Sequence, residues 1–135
     1  MRKLITDETL AYSKAFIFVM ENFTRILKAG QCEHTICFGN GSSVTYMMED
    51  DTVIGACVYE FDTIKKQAYI YTAGVEPVYR NKGVYQEIYN EVEKIARDKG
   101  MKVINSSVHI DNQAMLAAAV KNGRMLTHYR TTKVL

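Results

Sequence analysis

The sequence predicts an α/β fold, a central mixed, mostly antiparallel sheet flanked by helices. Three observations carry this expectation. Three β-rich runs, Val44–Met48, Thr52–Phe61 and Gln67–Val75, are joined by short polar turns, the pattern of an antiparallel meander. A strand–helix–strand crossover then runs from Gln67 to Ile110, and such a crossover implies parallel pairing. The chain has 135 residues, 47% of them hydrophobic, which suits one domain over residues 1–135.

From the N-terminus, Ala11, Ala15, Phe16, Met20, Phe23, Ile26 and Leu27 recur at helical spacing, so Asp7 to Ala29 reads as one long helix or two joined by a bend. Thr6 is placed to cap it, Asp7 and Glu8 suit its positive end, and Gly30 suits its stop. No clear strand precedes it. Gln31 to Asn40 is ambiguous; Thr35–Phe38 has strand character, followed by a turn at Gly39-Asn40-Gly41. After the three β-rich runs, Val84, Ile88, Val92, Ile95 and Ala96 form one helical stripe that Gly100 ends. Lys102 to Ile110 reads as a strand. Asp111 or Asn112 caps a short helix through Lys121, closed by Gly123, and Arg124 to Val134 is extended again.

Composition excludes several classes. A net charge of +2 gives no electrostatic footprint for nucleic acid. No apolar run approaches the ~20 residues of a membrane-spanning helix. Arg2 and Lys3 are soon followed by Asp7 and Glu8, which argues against a secretory signal. Cys32, Cys37 and Cys57 cannot all pair internally, and no CxxC or His-x-His spacing suggests a metal site. Three free thiols in a reducing cytoplasm are expected.

The most informative stretch is Val75 to Tyr85, VEPVYRNKGVY, where a strand ends, a loop follows and a helix begins. Backbone N–H groups at a helix start are unpaired and lie at a positive dipole end, so they can hold a phosphate. Gly83 lets the backbone approach closely, and Arg80 and Lys82 add positive charge. The same residues also fit an ordinary strand-to-helix loop with solvated basic side chains.

This stretch resembles the GNAT superfamily of N-acetyltransferases, whose coenzyme-A loop follows R/Q-x-x-G-x-G/A after a strand ending V-x-P-x-Y/F. Val75, Pro77, Tyr79, Arg80 and Gly83 fall into that frame, with Tyr85 in the last place. A second family segment, N-x-x-A-x-x-x-Y-x-x-x-G-F, aligns on Asn112 and Gly123, with Met115, Ala119 and Arg124 in its other places. The order of elements also matches from about Val44 onward. The resemblance implies the acyl-coenzyme-A N-acyltransferase fold and acetyl-coenzyme A as co-substrate. The acceptor would be an amine on a small molecule or a protein, attacking the thioester directly. No nucleic acid or membrane partner is implied, and a homodimer is compatible with the family. On this alignment the backbone of Ala73 and Val75 would meet the pantetheine and thioester. Arg80, Asn81, Lys82, Gly83, Val84 and Tyr85 would cradle the pyrophosphate, and Asn112 would bond the pantetheine arm. The first helix and the loop after it would shape the acceptor pocket.

The departures bear on catalysis. Ala119 stands where many members carry the tyrosine that protonates the leaving thiolate. Tyr85 either narrows the phosphate loop or turns its ring away along the new helix. Tyr71, with Tyr69, alternates onto one strand face where members often place Glu or His; the pair either serves the site or packs beneath the first helix. His109 shares a strand face with Asn105 and Ser107 and is a candidate acid or base, or else an exposed strand-end histidine. Glu60 either attracts a cationic amine or is a solvated strand-end charge. The expected activity is therefore that of an N-acetyltransferase with Tyr71 and His109 as catalytic candidates. The rivals are a catalytically degenerate coenzyme-A-binding module of the same fold and an unrelated α+β interaction protein.

Overall fold

The computed structural model describes residues 1–28, 41–128, 131 and 133–135. Five strands form one sheet in the order β1-β2-β3-β4-β5: β1 (Arg2–Asp7), β2 (Ser43–Glu49), β3 (Thr52–Asp62), β4 (Gln67–Val75) and β5 (Val103–Ser106). The first three pairings are antiparallel and β4 with β5 is parallel. The expected mixed sheet is thus present, and its parallel step is the one that the crossover demands. Helices α1 (Phe16–Lys28), α2 (Val84–Asp98) and α3 (Gln113–Lys121) complete the described elements.

The N-terminal expectation needs correcting. Thr6 and Asp7 do not start a helix; they end β1, which pairs with β2 from Arg2↔Glu49 to Asp7↔Val44. A short 3₁₀ turn at Leu10–Tyr12 follows, and α1 begins only at Phe16. Ser13 acts where Thr6 was expected to, its hydroxyl accepting from the Ala15 N–H at 3.1 Å. The strand was hidden because it is a sheet edge. Only Ile5 and Asp7 in it are even half-buried, so it shows little alternation, and its polar end imitates a helix cap. Asp7 instead anchors this corner: its carboxylate accepts from the Ser13 hydroxyl at 2.8 Å and the buried Tyr46 hydroxyl at 3.0 Å.

Two further expectations differ from the structure, and a third is not tested by it. β5 stops at Ser106 rather than running to Ile110, because its partner β4 turns away there. The described part of 124–134 forms no strand. The segment Gln31–Asn40, with Gly30 and the Thr35–Phe38 run, lies outside the described residues.

The two faces of the sheet carry separate cores. Val44, Tyr46, Met48, Ala56 and Val58 pack against Leu10, Ala15, Phe18 and Val19 on the α1 face. Met47, Cys57, Tyr59, Ile70 and Val75 pack against Val84, Ile88, Tyr89 and Val92 of α2 on the other. Period-2 alternation in β2 and β3 therefore sorts apolar residues between two buried faces, as a central sheet covered on both sides requires. α3 buries none of its residues.

Gly74 shows how closely α1 approaches. A Cβ built there would overlap the buried Asn22 side chain of α1, whose amide donates to the Ala73 carbonyl at 3.4 Å. Gly74→Ala is therefore expected to destabilise the fold by about 1–3 kcal/mol through overpacking. Adding Asn22→Ala should restore part of that loss, as read by urea unfolding of the single and double variants. A Gly74→Ala chain as stable as the parent would show that α1 does not press on β4.

Candidate active site

The site begins with one irregularity in β4. Tyr59 of β3 faces Ile70, while the preceding Val58 faces Thr72, so Tyr71 is an extra residue in β4. Such a bulge bends the strand and disrupts the ladder. The parallel pairing of β4 with β5 ends at the same level, Ile70↔Ser106, while β4 runs on to Val75. Two strands that start as neighbours thus part, and the β4 edge beyond Ile70 has no strand partner among the described residues. Next to the bulge, the Thr72 hydroxyl is buried with no hydrogen-bond partner among the described residues.

Beyond Val75 a 3₁₀ turn, Pro77–Tyr79, leads to a loop with Asn81 at φ 60° and Gly83 at φ 80°. Gly83 is the N-cap of α2 and, lacking a side chain, leaves the first turn without a side-chain cap. The first helical bond is Glu87 N–H to Gly83 carbonyl, so the N–H groups of Val84, Tyr85 and Gln86 precede the helical ladder. A Cβ on Gly83 would meet nothing within 4 Å, which leaves the space in front of these N–H groups open. The loop thus has the geometry of an anion cradle.

Its charged side chains divide. Arg80 donates from Nε to the Val75 carbonyl at 3.0 Å, so its side chain ties the loop to the strand end. Asn81 and Lys82 are exposed, with the Lys82 ammonium 6.0 Å from the Tyr79 ring centre. Of the two placements open to Tyr85, the structure takes the second. Its ring turns back against the α2-face core, 6.1 Å from the Tyr89 ring, and only its backbone stays in the loop. Burial raises its phenol pKa well above the ordinary value, the nearby Cys57 thiol adds to that, and Arg124 opposes it.

On the α1 face, Tyr69 and Tyr71 meet edge to face with ring centres 4.9 Å apart. Tyr71 packs against the core beneath α1, as one of its two readings expects, and also donates to Glu60 Oε2 at 3.0 Å. The other Glu60 oxygen accepts from the Ser42 hydroxyl at 2.8 Å. Burial first, then the Glu60 carboxylate, raise the Tyr71 phenol above its ordinary value, which makes it a poorer base still. Glu60, opposite Tyr69 in the ladder, is therefore a held carboxylate rather than a solvated strand-end charge.

His109 does not share a strand face with Asn105 and Ser107, because β5 has ended. It lies in the turn before α3, where Nδ1 accepts from the Asp111 N–H at 3.1 Å and the Asp111 carboxylate is 3.7 Å away. That bond places the proton of the neutral ring on Nε2. Ser107 instead reaches the Tyr69 hydroxyl at 2.8 Å. Asn112 caps α3, its Oδ1 accepting from the Met115 N–H at 3.2 Å, and its amide nitrogen has no partner among the described residues. The sequence-predicted residues thus fall on three segments: Tyr71, Ala73 and Val75 on β4, with Tyr71 on the α1 face and Ala73 and Val75 on the α2 face; Arg80 to Tyr85 at the start of α2; and His109 and Asn112 just before α3.

Three residues escaped the sequence reading. Asn22 was one polar position within a helical stripe, yet it is buried over Gly74. Thr72 was one strand residue among nine. Arg124 was noted only as a departure in a weak motif; its guanidinium lies 5.3 Å from the Tyr89 ring centre and donates to Ser106 and Tyr85. A cation directly after a helix-closing glycine was the available signal.

The model of the acetyltransferase (GNAT) family matches residues 9–123, and the chain belongs to that family, a class of acyltransferases. No curated protein matches it in sequence. Solved structures share its fold. An aminoglycoside acetyltransferase from an uncultured soil metagenomic sample, in complex with sisomicin, is 14% identical with a TM-score of 0.71, covering 98% of this chain and 97% of that one. The aminoglycoside N-acetyltransferase AAC(6')-Iy in complex with coenzyme A is 14% identical, TM-score 0.69, covering 100% and 95%. A possible acetyltransferase from Clostridium difficile 630 is 12% identical, TM-score 0.69, covering 100% and 97%.

The Glu60–Tyr71 bond makes a measurable claim. Glu60→Gln removes the carboxylate charge beside Tyr71 and leaves burial, an amide oxygen that can still accept and the weaker effect of Tyr69, so the Tyr71 pKa should fall part of the way toward the ordinary phenol value of about 10. Ultraviolet difference titration of the parent, Glu60→Gln and Tyr71→Phe chains isolates that residue. An unmoved Tyr71 titration would mean that the bond is not formed in solution.

Proposed function

We propose that this chain is an acetyl-coenzyme-A-dependent N-acetyltransferase, acting as one domain over residues 1–135 and passing acetyl to an amine by direct attack. The observation that carries the reading is the parting of β4 from β5 beside the uncapped start of α2. A thioester on a long polar arm with a diphosphate at its far end needs a slot, a free strand edge and an anion cradle in that order. The residues present fit it. Gly83 leaves open space, the N–H groups of Val84 and Tyr85 lie at the positive end of α2, and Thr72 has a buried hydroxyl to satisfy.

The roles follow from placement. Asn81 and Lys82 supply a polar and a cationic side chain beside the diphosphate, and Arg80 holds the loop against β4. The free edge of β4 around Ala73 and Val75 bonds the arm, and the Asn112 amide does so from the N-cap of α3. On the α1 face Glu60, fixed by Ser42 and Tyr71, attracts an ammonium group and takes its proton, while Tyr71 orients that carboxylate. His109 offers Nε2 from the turn before α3 for proton transfer. The aminoglycosides named with two of the similar structures are polyamines of the kind such a carboxylate attracts, and a small polyamine is the acceptor class we favour over a protein amine. A reducing cytoplasm suits the buried free thiol of Cys57.

A second reading, a coenzyme-A-binding module with little turnover, draws on Ala119, which has no proton to donate, and on the engagement of Tyr71 with Glu60. Thiol release from acetyl-coenzyme A over a panel of amines separates it from the enzyme.

Two substitutions test the assignment. Gly83→Glu puts a carboxylate into the cradle; its left-handed backbone costs about 1–2 kcal/mol, so the chain should stay folded while calorimetry shows acetyl-coenzyme-A binding lost. Unchanged affinity in a folded Gly83→Glu chain would remove the basis for the site. His109→Ala should lower kcat roughly tenfold and leave acetyl-coenzyme-A affinity within about threefold, as for a group acting on the chemical step. Equal turnover in that variant would return His109 to a purely structural place in the turn before α3.

A further inference from the structure

The foot of the cleft holds a cation with an unusual set of partners. Arg124 Nη1 donates to the Ser106 hydroxyl at 2.5 Å, and Nη2 donates to the Tyr85 hydroxyl at 3.5 Å. Among the described residues its buried Nε has no hydrogen-bond partner, and no carboxylate lies within ion-pair distance of it. A half-buried guanidinium without a counter-charge is costly, and such groups are ordinarily paired. Both hydroxyls it touches act as acceptors toward it. Each therefore keeps its own hydrogen, and neither hydrogen has an acceptor among the described residues.

The location gives these hydrogens a use. Ser106 sits on the last rung that β5 shares with β4, opposite Ile70, where the strands part. Tyr85 comes from the first turn of α2 and packs against the α2-face core, as does Ala73, two residues past the bulge in β4. Two O–H donors backed by one cation thus meet at the closed end of the slot. Such a preorganised set stabilises negative charge that develops during a reaction.

Resting on the acetyltransferase reading above, we propose that the hydroxyls of Tyr85 and Ser106, oriented by Arg124, receive the sulfur anion that leaves on acetyl transfer. In that step the amine nitrogen bonds the acetyl carbon as the carbon–sulfur bond breaks. The electron pair of the broken bond stays on sulfur, and the proton lost by nitrogen passes through Glu60 to water. Tyr85 and Ser106 donate hydrogen bonds to sulfur without giving up their protons. Arg124 reaches the two hydroxyls and the Tyr89 ring, not the reacting atoms, and is a positioning residue. The buried Cys57 thiol, pushed up to about 12, stays neutral beside it.

The test needs no acceptor. Calorimetry compares coenzyme A with desulfo-coenzyme A, its analogue lacking sulfur, at pH 6.5 and at pH 9.5, where the thiol of the former ionises. The desulfo analogue cancels the titration of the protein's own groups. The parent chain should prefer coenzyme A at the higher pH by about tenfold, the worth of a hydrogen bond to a charged group. Tyr85→Phe, which keeps the ring, and Ser106→Ala should each lose most of that preference while binding the desulfo analogue within about threefold of the parent. Arg124→Met should lose it as well, and Arg124→Lys should retain part. A preference that survives Tyr85→Phe and Ser106→Ala overturns the proposal, as does an equal loss of affinity for both ligands, which would mark a packing role. Failure of the parent chain to bind either ligand would overturn the acetyltransferase reading itself.

Discussion

One extra residue in a strand shapes this molecule. With Tyr71 inserted between the Tyr59–Ile70 and Val58–Thr72 pairs, β4 keeps its ladder with β3 but bends away from β5. A strand has two edges, and an irregularity that one edge absorbs is passed to the other as lost pairing. The sheet accepts the loss because β5 is short and, among the described residues, no strand lies beyond it that must stay in register. The slot, the free β4 edge and the early end of β5 share this cause.

The same bend organises the two faces. Tyr69 and Tyr71 both look toward α1, which is why Glu60, opposite Tyr69, finds a phenol to hold it. Gly74 then lets Asn22 of α1 descend onto the strand and bond the Ala73 carbonyl, so the end of β4 is fixed from above while Arg80 fixes it from the loop. Rigid support of a strand whose neighbour has left keeps the slot open, since an unsupported strand would close onto β5 to pair its backbone.

Charged groups stand on both faces of the sheet, and the α1 face holds a cation of its own, the Arg25 guanidinium that donates to Asn22 at 2.9 Å. The α1 face presents the Glu60 carboxylate, and the α2 side presents Arg124, the α2 N-terminus and Lys82. In the reading proposed above, Glu60 would draw the amine on one side, and the hydroxyls held by Arg124 would receive the leaving sulfur on the other. Tyr85 and Arg124, two departures from the family's motifs, touch one another, so they are better understood together than as separate defects.

Much of this was legible in the sequence. The β-rich runs and the crossover foretold the antiparallel meander and its one parallel step, and the VEPVYRNKGVY stretch foretold the loop that starts α2, because period-2 alternation, turn chemistry and a glycine at a positive φ are local properties of the chain. The helix α2 and the Asn112 cap were readable for the same reason. What the tertiary structure decided were properties of pairs distant in sequence. β1 became a strand because β2 offered an edge, against a local signal for a helix cap at Thr6. The extra residue at Tyr71 exists only relative to β3, the burial of Asn22 only relative to Gly74, and the direction of the Tyr85 ring only relative to Arg124, 39 residues away. No local pattern encodes such contacts: a side chain's partners are set by the register and packing of the elements that carry it.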